Sequence, residues 1–379
     1  MHRMDQINKR PDFSRDRHSV DAAQSYTMPA RIYHDPQFLE HEHHQVFWKS
    51  WIFVGHASEL KQPGDYITAE FTGQRLYVIR AQDGELKSFF NVCQHRGHSL
   101  LRGKGKAKKP IVCPYHAWSY GHDGKLIVAP NCSHVEGFDK SEFDIPAIRV
   151  EDFGGFVFVN LDPDARSMDE VYPGARDVLA TFCGDTTNLS ANRVVEFDIK
   201  GNWKNVADNL LECYHCSTAH KAFVDLVKMD TYKVELHDYW SIQHGECRNN
   251  NSAYDFAAGE DDRFMTLYLW PNAAFVALPA ARGINVFTFH PLNAELTHQD
   301  FIYFHPGGEV SPTESASFEY FEKVLGPEDV GLVEDVQVGL HSLGYHQGRI
   351  MVDQERSQVS EHALHHFQNL VMQEMKDYV

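Results

Sequence analysis

The chain has 379 residues, more than one average domain, and its 42% hydrophobic and 12% aromatic content supplies material for a substantial core. A formal net charge of −18 argues against a nucleic-acid partner, because phosphate binding needs a basic face. Met1 to Thr27 is polar and mixed in charge, without the apolar core of a secretory signal. No run of about 18 apolar residues occurs, so no membrane span is expected.

Seven cysteines are present: Cys93, Cys113, Cys132, Cys183, Cys213, Cys216 and Cys247. The number is odd, and two of them sit in ligand-like spacing with histidines. That pattern predicts metal binding in a reducing compartment, the cytoplasm, rather than a disulfide frame. Cys213 and Cys216 are read as small buried residues rather than zinc ligands.

In chain order, residues 1–45 form an arm followed by a helix. Asp35-Pro36 supplies an N-cap and a proline at the first helical position, and the helix is expected to run through Trp48. From Asp65 the pattern changes to short strands over Tyr66–Phe71, Arg75–Arg80 and Leu86–Phe90. Thr72-Gly73-Gln74, Asp83-Gly84 and Asp123-Gly124 are hairpin signals. Residues 46–160 therefore read as a small all-β domain. Residues 161–379 mix helix and strand and read as an α+β domain. Its expected parts are a helix over Asn202–His220, strands over Met265–Phe304, and closing helices over Glu328–Ser342 and Ser360–Tyr378.

Two constellations carry chemistry. Cys93-Gln94-His95 is followed, after seventeen intervening residues, by Cys113-Pro-Tyr-His116. Each half offers one thiolate and one imidazole after a predicted strand. Two thiolates on one iron and two imidazoles on the other hold a two-iron, two-sulfur (2Fe-2S) cluster of raised potential. A Cys2His2 zinc site uses the same residue types, but it usually keeps its cysteines in one half and its histidines in the other.

The second constellation is Asp208, Glu212, His215 and His220. At roughly 100° per residue the first three share a helical stripe, and His220 lies about 140° from His215. Both histidines reach one metal only if the helix widens or ends between them. Two imidazoles and a distant carboxylate make the facial triad of ferrous oxygenases. Asp329 is the expected carboxylate, with Glu328 as its rival.

The order Cys-x-His, Cys-x2-His, His-x4-His and a late Asp resembles the catalytic subunits of Rieske non-haem iron oxygenases, from about residue 30 to the C-terminus. Glu212-Cys-Tyr-His-Cys216, Leu269-Trp-Pro271, Gly344–Met351 and Ser360–Phe367 resemble the branch that includes carnitine, glycine betaine and choline monooxygenases. The resemblance implies a helix-grip catalytic domain around an antiparallel sheet and a head-to-tail homotrimer. It also implies that Glu212, where many ring-hydroxylating relatives carry Asp, bonds His215 in its own chain and His116 of the next subunit as an electron bridge. Electrons from NAD(P)H are expected through a separate reductase, since the chain shows no Gly-rich nucleotide fingerprint. Dioxygen and a small cationic substrate complete the reaction: C–H hydroxylation beside the quaternary nitrogen, then collapse to an aldehyde and an amine.

A trimethylammonium group donates no hydrogen bonds, so aromatic faces suit it best. Tyr268, Trp270, Phe275, Phe287 and Phe289 are candidate cage residues, and Arg282 is a candidate clamp for a substrate carboxylate. Competing readings are a Rieske oxygenase acting on an aromatic acid, an electron-transfer protein without an oxygenase site, and a zinc-stabilised binding protein.

Overall fold

The computed structural model describes residues 16–378; of the expected N-terminal arm, residues 1–15 lie outside that range. Asp35 caps helix α1 (Pro36–Gln45), its carboxylate accepting the Gln37 N–H at 2.9 Å. The helix stops three residues before Trp48, and a 3-10 turn (Phe47–Lys49) follows.

The backbone divides into two compact units. One comprises Phe47–Ala180 with Gly184–Ala191. It contains β1 (Ile52–His56), β2 (Asp65–Phe71), β3 (Gln74–Arg80), β4 (Leu86–Phe90), β5 (Lys104–Lys106), β6 (Ile111–Val112), β7 (Ser119–Tyr120), β8 (Leu126–Val128), β9 (Ala147–Phe153) and β10 (Phe156–Asn160), then helix α2 (Met168–Val171) and α3 (Ala175–Cys183) as far as Ala180. The strands form a seven-stranded sheet in the order β1-β10-β9-β4-β3-β2-β5 and a small sheet β6-β7-β8. Thr72 and Gly73, both at positive φ, close the two-residue β2–β3 hairpin, and this primed turn follows the strand twist. Tyr77, Phe89, Trp118, Tyr120 and Ile145 belong to the core under the small sheet.

The other unit runs through Val46, includes Thr181–Cys183, and resumes at Asn192. After β11 (Ser190–Ile199) come α4 (Trp203–Leu210), α5 (Cys216–Ala219) and α6 (Lys221–Leu226). Strands β12 (Lys233–Leu236), β13 (Trp240–Glu246), β14 (Arg263–Leu269), β15 (Ala273–Ala277), β16 (Ile284–Asn293) and β17 (Leu296–His305) follow, then α7 (Pro312–Tyr320), α8 (Gly326–Leu340) and α9 (His362–Glu374). The sheet order is β11-β17-β16-β15-β14-β13-β12, and the β12 to β17 pairings are antiparallel. This is the α+β arrangement expected from the element order.

Asn202 starts α4 by accepting the Lys204 N–H, and the helix buries Trp203, Lys204, Asn205, Val206 and Ala207. The buried Lys204 ammonium is paired with Glu42 of α1 at 2.7 Å, both side chains being fully enclosed. The expected continuous helix to His220 does not form. The Glu212 carboxylate takes the His215 N–H at 3.1 Å, a donor that a continuing helix would give to the Leu211 carbonyl. A π-type turn (Phe321–Leu325) joins α7 to α8.

Candidate metal centres

Cys93 and Cys113 open two loops with the same hydrogen-bond pattern. Cys93 N–H donates to the His98 carbonyl at 2.8 Å, and Gly97 N–H returns to the Cys93 carbonyl at 2.9 Å. Cys113 N–H donates to the Trp118 carbonyl at 2.7 Å, and Ala117 N–H returns to the Cys113 carbonyl at 3.0 Å. The residue four places after each cysteine is left-handed, Gly97 at φ 74° and Ala117 at φ 60°. An alanine held there is unusual backbone of the kind that clusters at functional sites.

These twin loops bring His95 and His116 together, their Nδ1 atoms 3.1 Å apart. Both thiols are buried, whereas His95 is exposed and His116 only partly covered. Trp118 stacks on the His95 ring at 4.8 Å. The Tyr120 hydroxyl accepts the Gln94 N–H at 3.0 Å and lies within hydrogen-bonding reach of Cys93 Sγ, at 3.4 Å. Two buried thiols and two outward imidazoles fit the donor set of the expected cluster, with the imidazoles on the solvent side.

The second centre is built from the turn after α4 and the start of α8. His215 Nδ1 and Glu212 Oε1 are 2.5 Å apart, and His220 Nδ1 and Glu328 Oε2 are 2.8 Å apart. With each Nδ1 occupied by a carboxylate, the Nε2 atoms turn inward, 3.0 Å from one another. Asp329 Oδ1 meets them at 2.9 Å from His220 and 3.5 Å from His215. His215, His220 and Asp329 place their ligand atoms within 4.8 Å of one another, with each imidazole fixed by an outer carboxylate, an arrangement that could hold a metal ion. Asp329 therefore stands with the two Nε2 atoms, and Glu328 stands on the far side of the His220 ring. Burial works against a charged His215 ring, but hydrogen bonds from its N–H groups to the Asp329 and Glu212 carboxylates outweigh it and raise its pKa to about 9.

The structure separates Asp208 from this group. Its buried carboxylate accepts from the Tyr33 hydroxyl at 2.5 Å and from Gln368 Nε2 at 3.1 Å. The helical stripe that would have linked it to Glu212 ends at Leu210. Cys213 and Cys216 are small buried residues as expected, but they are joined to each other by a disulfide, where the cysteine pattern predicts metal binding rather than disulfides.

A cavity of about 840 Å³, counted with its open mouth, adjoins His215, His220 and Asp329. Of the sequence-derived substrate residues only Phe287 lines it. Tyr268 and Trp270 instead pack on Phe367 at 6.1 and 5.7 Å, beyond the end of the cavity. Phe275 neighbours the lining residue Val276 on β15 and so points to the opposite sheet face. Phe289 is fully buried and likewise absent from the lining. Arg282 is engaged by Glu314, with Nε and Nη2 contacts of 3.0 and 2.9 Å, so it offers no clamp in the cavity. The aromatic lining is completed by Phe223, Tyr232, Phe264 and Phe321. Phe223 lies three residues after His220, and sequence proximity to the ligands is the signal that could have found it.

Comparison with known proteins agrees with this geometry. Residues 50–139 match the Rieske [2Fe-2S] domain model, and residues 186–377 match the catalytic domain model of ring hydroxylating alpha subunits. The chain is 40% identical to the carnitine monooxygenase oxygenase subunit of Escherichia coli (strain K12), over 98% of this chain and 100% of that protein. It is 28% identical to the chloroplastic choline monooxygenase of Spinacia oleracea, over 93% of this chain and 79% of that one. A solved quaternary ammonium Rieske monooxygenase in complex with L-carnitine superposes with a TM-score of 0.86 at 39% identity, covering 95% of this chain and 98% of the other. Naphthalene 1,2-dioxygenase from Rhodococcus sp. shares the fold at 19% identity and a TM-score of 0.79. With both domains matched and the two donor sets assembled, the chain belongs to the Rieske non-haem iron oxygenases as a catalytic alpha subunit.

Proposed function

We propose that this oxygenase component hydroxylates a small quaternary ammonium compound of the carnitine or betaine type, releasing an aldehyde and an amine. The observation that carries the reading is the cavity lining: among the described residues, five aromatic side chains and no lysine or arginine, beside the carboxylates of Glu212 and Asp329. Aromatic faces and acids favour the ammonium head of a cationic substrate. The relatives that act on carnitine and choline support the same substrate class.

In this reading Cys93, Cys113, His95 and His116 hold the 2Fe-2S cluster, and His215, His220 and Asp329 hold the mononuclear iron. With both groups bound, the chemistry supplied is reductive activation of dioxygen and transfer of one oxygen atom to a C–H bond. Overall, substrate, dioxygen, NAD(P)H and a proton give hydroxylated substrate, NAD(P)+ and water, and a carbinol beside the nitrogen collapses to the carbonyl and the free amine. Phe223, Phe264, Phe287 and Phe321 line the cavity; these apolar walls would exclude water and face the ammonium methyl groups of a bound substrate. Glu212 holds the His215 ring and its backbone N–H together.

The working enzyme is assigned as a cytoplasmic head-to-tail homotrimer served by a separate reductase, with Glu212 also reaching His116 of the partner subunit. Among the described residues no helix is long and apolar enough to cross a membrane. The test is reconstitution with a reductase and NADH, offering carnitine, γ-butyrobetaine, glycine betaine, choline and a set of aromatic acids. Amine release with an ammonium compound is expected. Silence with all of them overturns the assignment.

A further inference from the structure

Outside the iron site, one other group of side chains among the described residues converges in the same manner. Glu196 and Asp198 stand on β11, and His298 and Asp300 on the neighbouring β17. Alternate residues of a strand share a face, so Glu196 pairs with Asp198 and His298 with Asp300 on one side of the sheet. Gln299, between the latter two, lines the substrate cavity on the opposite face.

His298 Nδ1 lies 2.7 Å from Asp198 Oδ1. Its Nε2 faces Asp300 Oδ1 at 3.4 Å and Glu196 Oε1 at 4.0 Å. Donor atoms of His298, Asp300 and Glu196 all lie within 4.8 Å of one another. A carboxylate on Nδ1, with Nε2 turned toward further carboxylates, is the same arrangement that Glu212 gives His215 and Glu328 gives His220. Two ligands about 2.1 Å from a metal in tetrahedral geometry are separated by about 3.4 Å. The His298–Asp300 spacing already has that value. Glu196 is 68% exposed and free to close the remaining few tenths of an ångström.

Register adds an independent element. The β16–β17 pairing sets His290 directly across from His298, and Thr288 directly across from Asp300. The Thr288 hydroxyl reaches the other Asp300 oxygen at 3.3 Å, orienting that carboxylate. A second imidazole therefore stands beside the first.

We infer that Glu196, His298 and Asp300 form a second, surface divalent-cation site, with Asp198 orienting the His298 ring. One imidazole with carboxylate oxygens and water suits Mn2+ or Zn2+. The cation would offset three neighbouring carboxylates on a chain of net charge −18. This inference is independent of the substrate assignment.

The experiment is equilibrium dialysis of the iron-loaded holoenzyme against Mn2+. Bound metal is counted by elemental analysis, and released ferrous iron is followed with a colorimetric chelator, which reports any exchange at the catalytic site. One equivalent of Mn2+ bound without iron release is expected. His298→Ala should abolish that equivalent and leave turnover unchanged, and Asp198→Asn should weaken it about 10- to 100-fold. If no Mn2+ binds beyond the iron displaced, or if His298→Ala binds it as tightly as the parent, the site is refuted, and His298 is then simply an imidazolium paired with three acids.

Discussion

Glu212 holds His215 twice: Oε1 is 2.5 Å from the ring Nδ1, and Oε2 accepts the backbone N–H of the same residue at 3.1 Å. One carboxylate thus fixes the position, the tautomer and the chain turn of an iron-ligand candidate, immediately beside the substrate cavity.

Replacing Glu212 with Ala should leave iron and acid-labile sulfide in place while steady-state turnover falls at least 10- to 100-fold, the range for losing an outer partner of a metal-bound imidazole. Metal and sulfide analysis beside a coupled NADH assay checks this. Normal turnover would remove Glu212 from the electron path.

Asp329 and Glu328 should separate cleanly. Asp329→Ala is expected to lose the mononuclear iron while retaining the cluster iron and sulfide. Glu328→Ala should keep the iron but bind it about 10- to 100-fold more weakly. Iron content after dialysis against a graded chelator distinguishes them, and the reverse order would exchange their roles.

Asp208 gives a pH signature in stability. Burial raises its pKa to about 7, against the partly compensating hydrogen bonds from Tyr33 and Gln368. The folded state therefore keeps a proton that the unfolded chain releases near pH 4. Stability from this group is full below about pH 4 and declines as pH rises to about 7. Asp208→Asn removes that decline, so its melting temperature relative to the parent should rise between pH 5 and pH 8. A difference independent of pH would contradict the assignment.

The enclosed Lys204–Glu42 pair predicts non-additivity. Lys204→Met leaves the Glu42 carboxylate buried with only the Trp203 indole donor at 3.0 Å, and should cost about 3–5 kcal/mol. The double variant Lys204→Met, Glu42→Leu should recover most of that loss. Denaturant titration of the parent, both singles and the double closes the cycle, and simple additivity would refute the coupling.

Phe287→Leu preserves apolar bulk but removes the ring face from the cavity. For a quaternary ammonium substrate, KM should rise about 2- to 30-fold, the worth of one cation–π contact, with a smaller change in kcat. An unchanged KM would exclude Phe287 from substrate contact.

The parts of the molecule that announced themselves in sequence are those whose chemistry is local. Thr72-Gly73 marks a primed turn wherever it occurs, Asp35-Pro36 marks a helix start, and the two Cys–His loops carry their donors within four residues. Asp329 could be singled out because Pro327 opens a helix around it, yet choosing it over Glu328 required three dimensions. Successive helix residues diverge by roughly 100°, so one reaches the Nε2 side of His220 and the other its Nδ1 side. Asp208 misled because a helical wheel presumes an unbroken helix, and Glu212 ends it. The cage residues were the least legible. Period-two alternation assigns Tyr268 and Trp270 to the same face as Phe264, but it does not say where along that face the cavity stops and Phe367 fills the space.

His220 and Asp329 lie 109 positions apart in the chain. An ion gripping both acts as a cross-link that closes a very long loop, and the entropy removed by such closure grows with the logarithm of its length. Metal loading and consolidation of the larger unit are therefore one coupled equilibrium. Chelation is therefore expected to loosen the sheet and helices strung between those anchors, so that an ion bound there would serve the architecture as well as turnover.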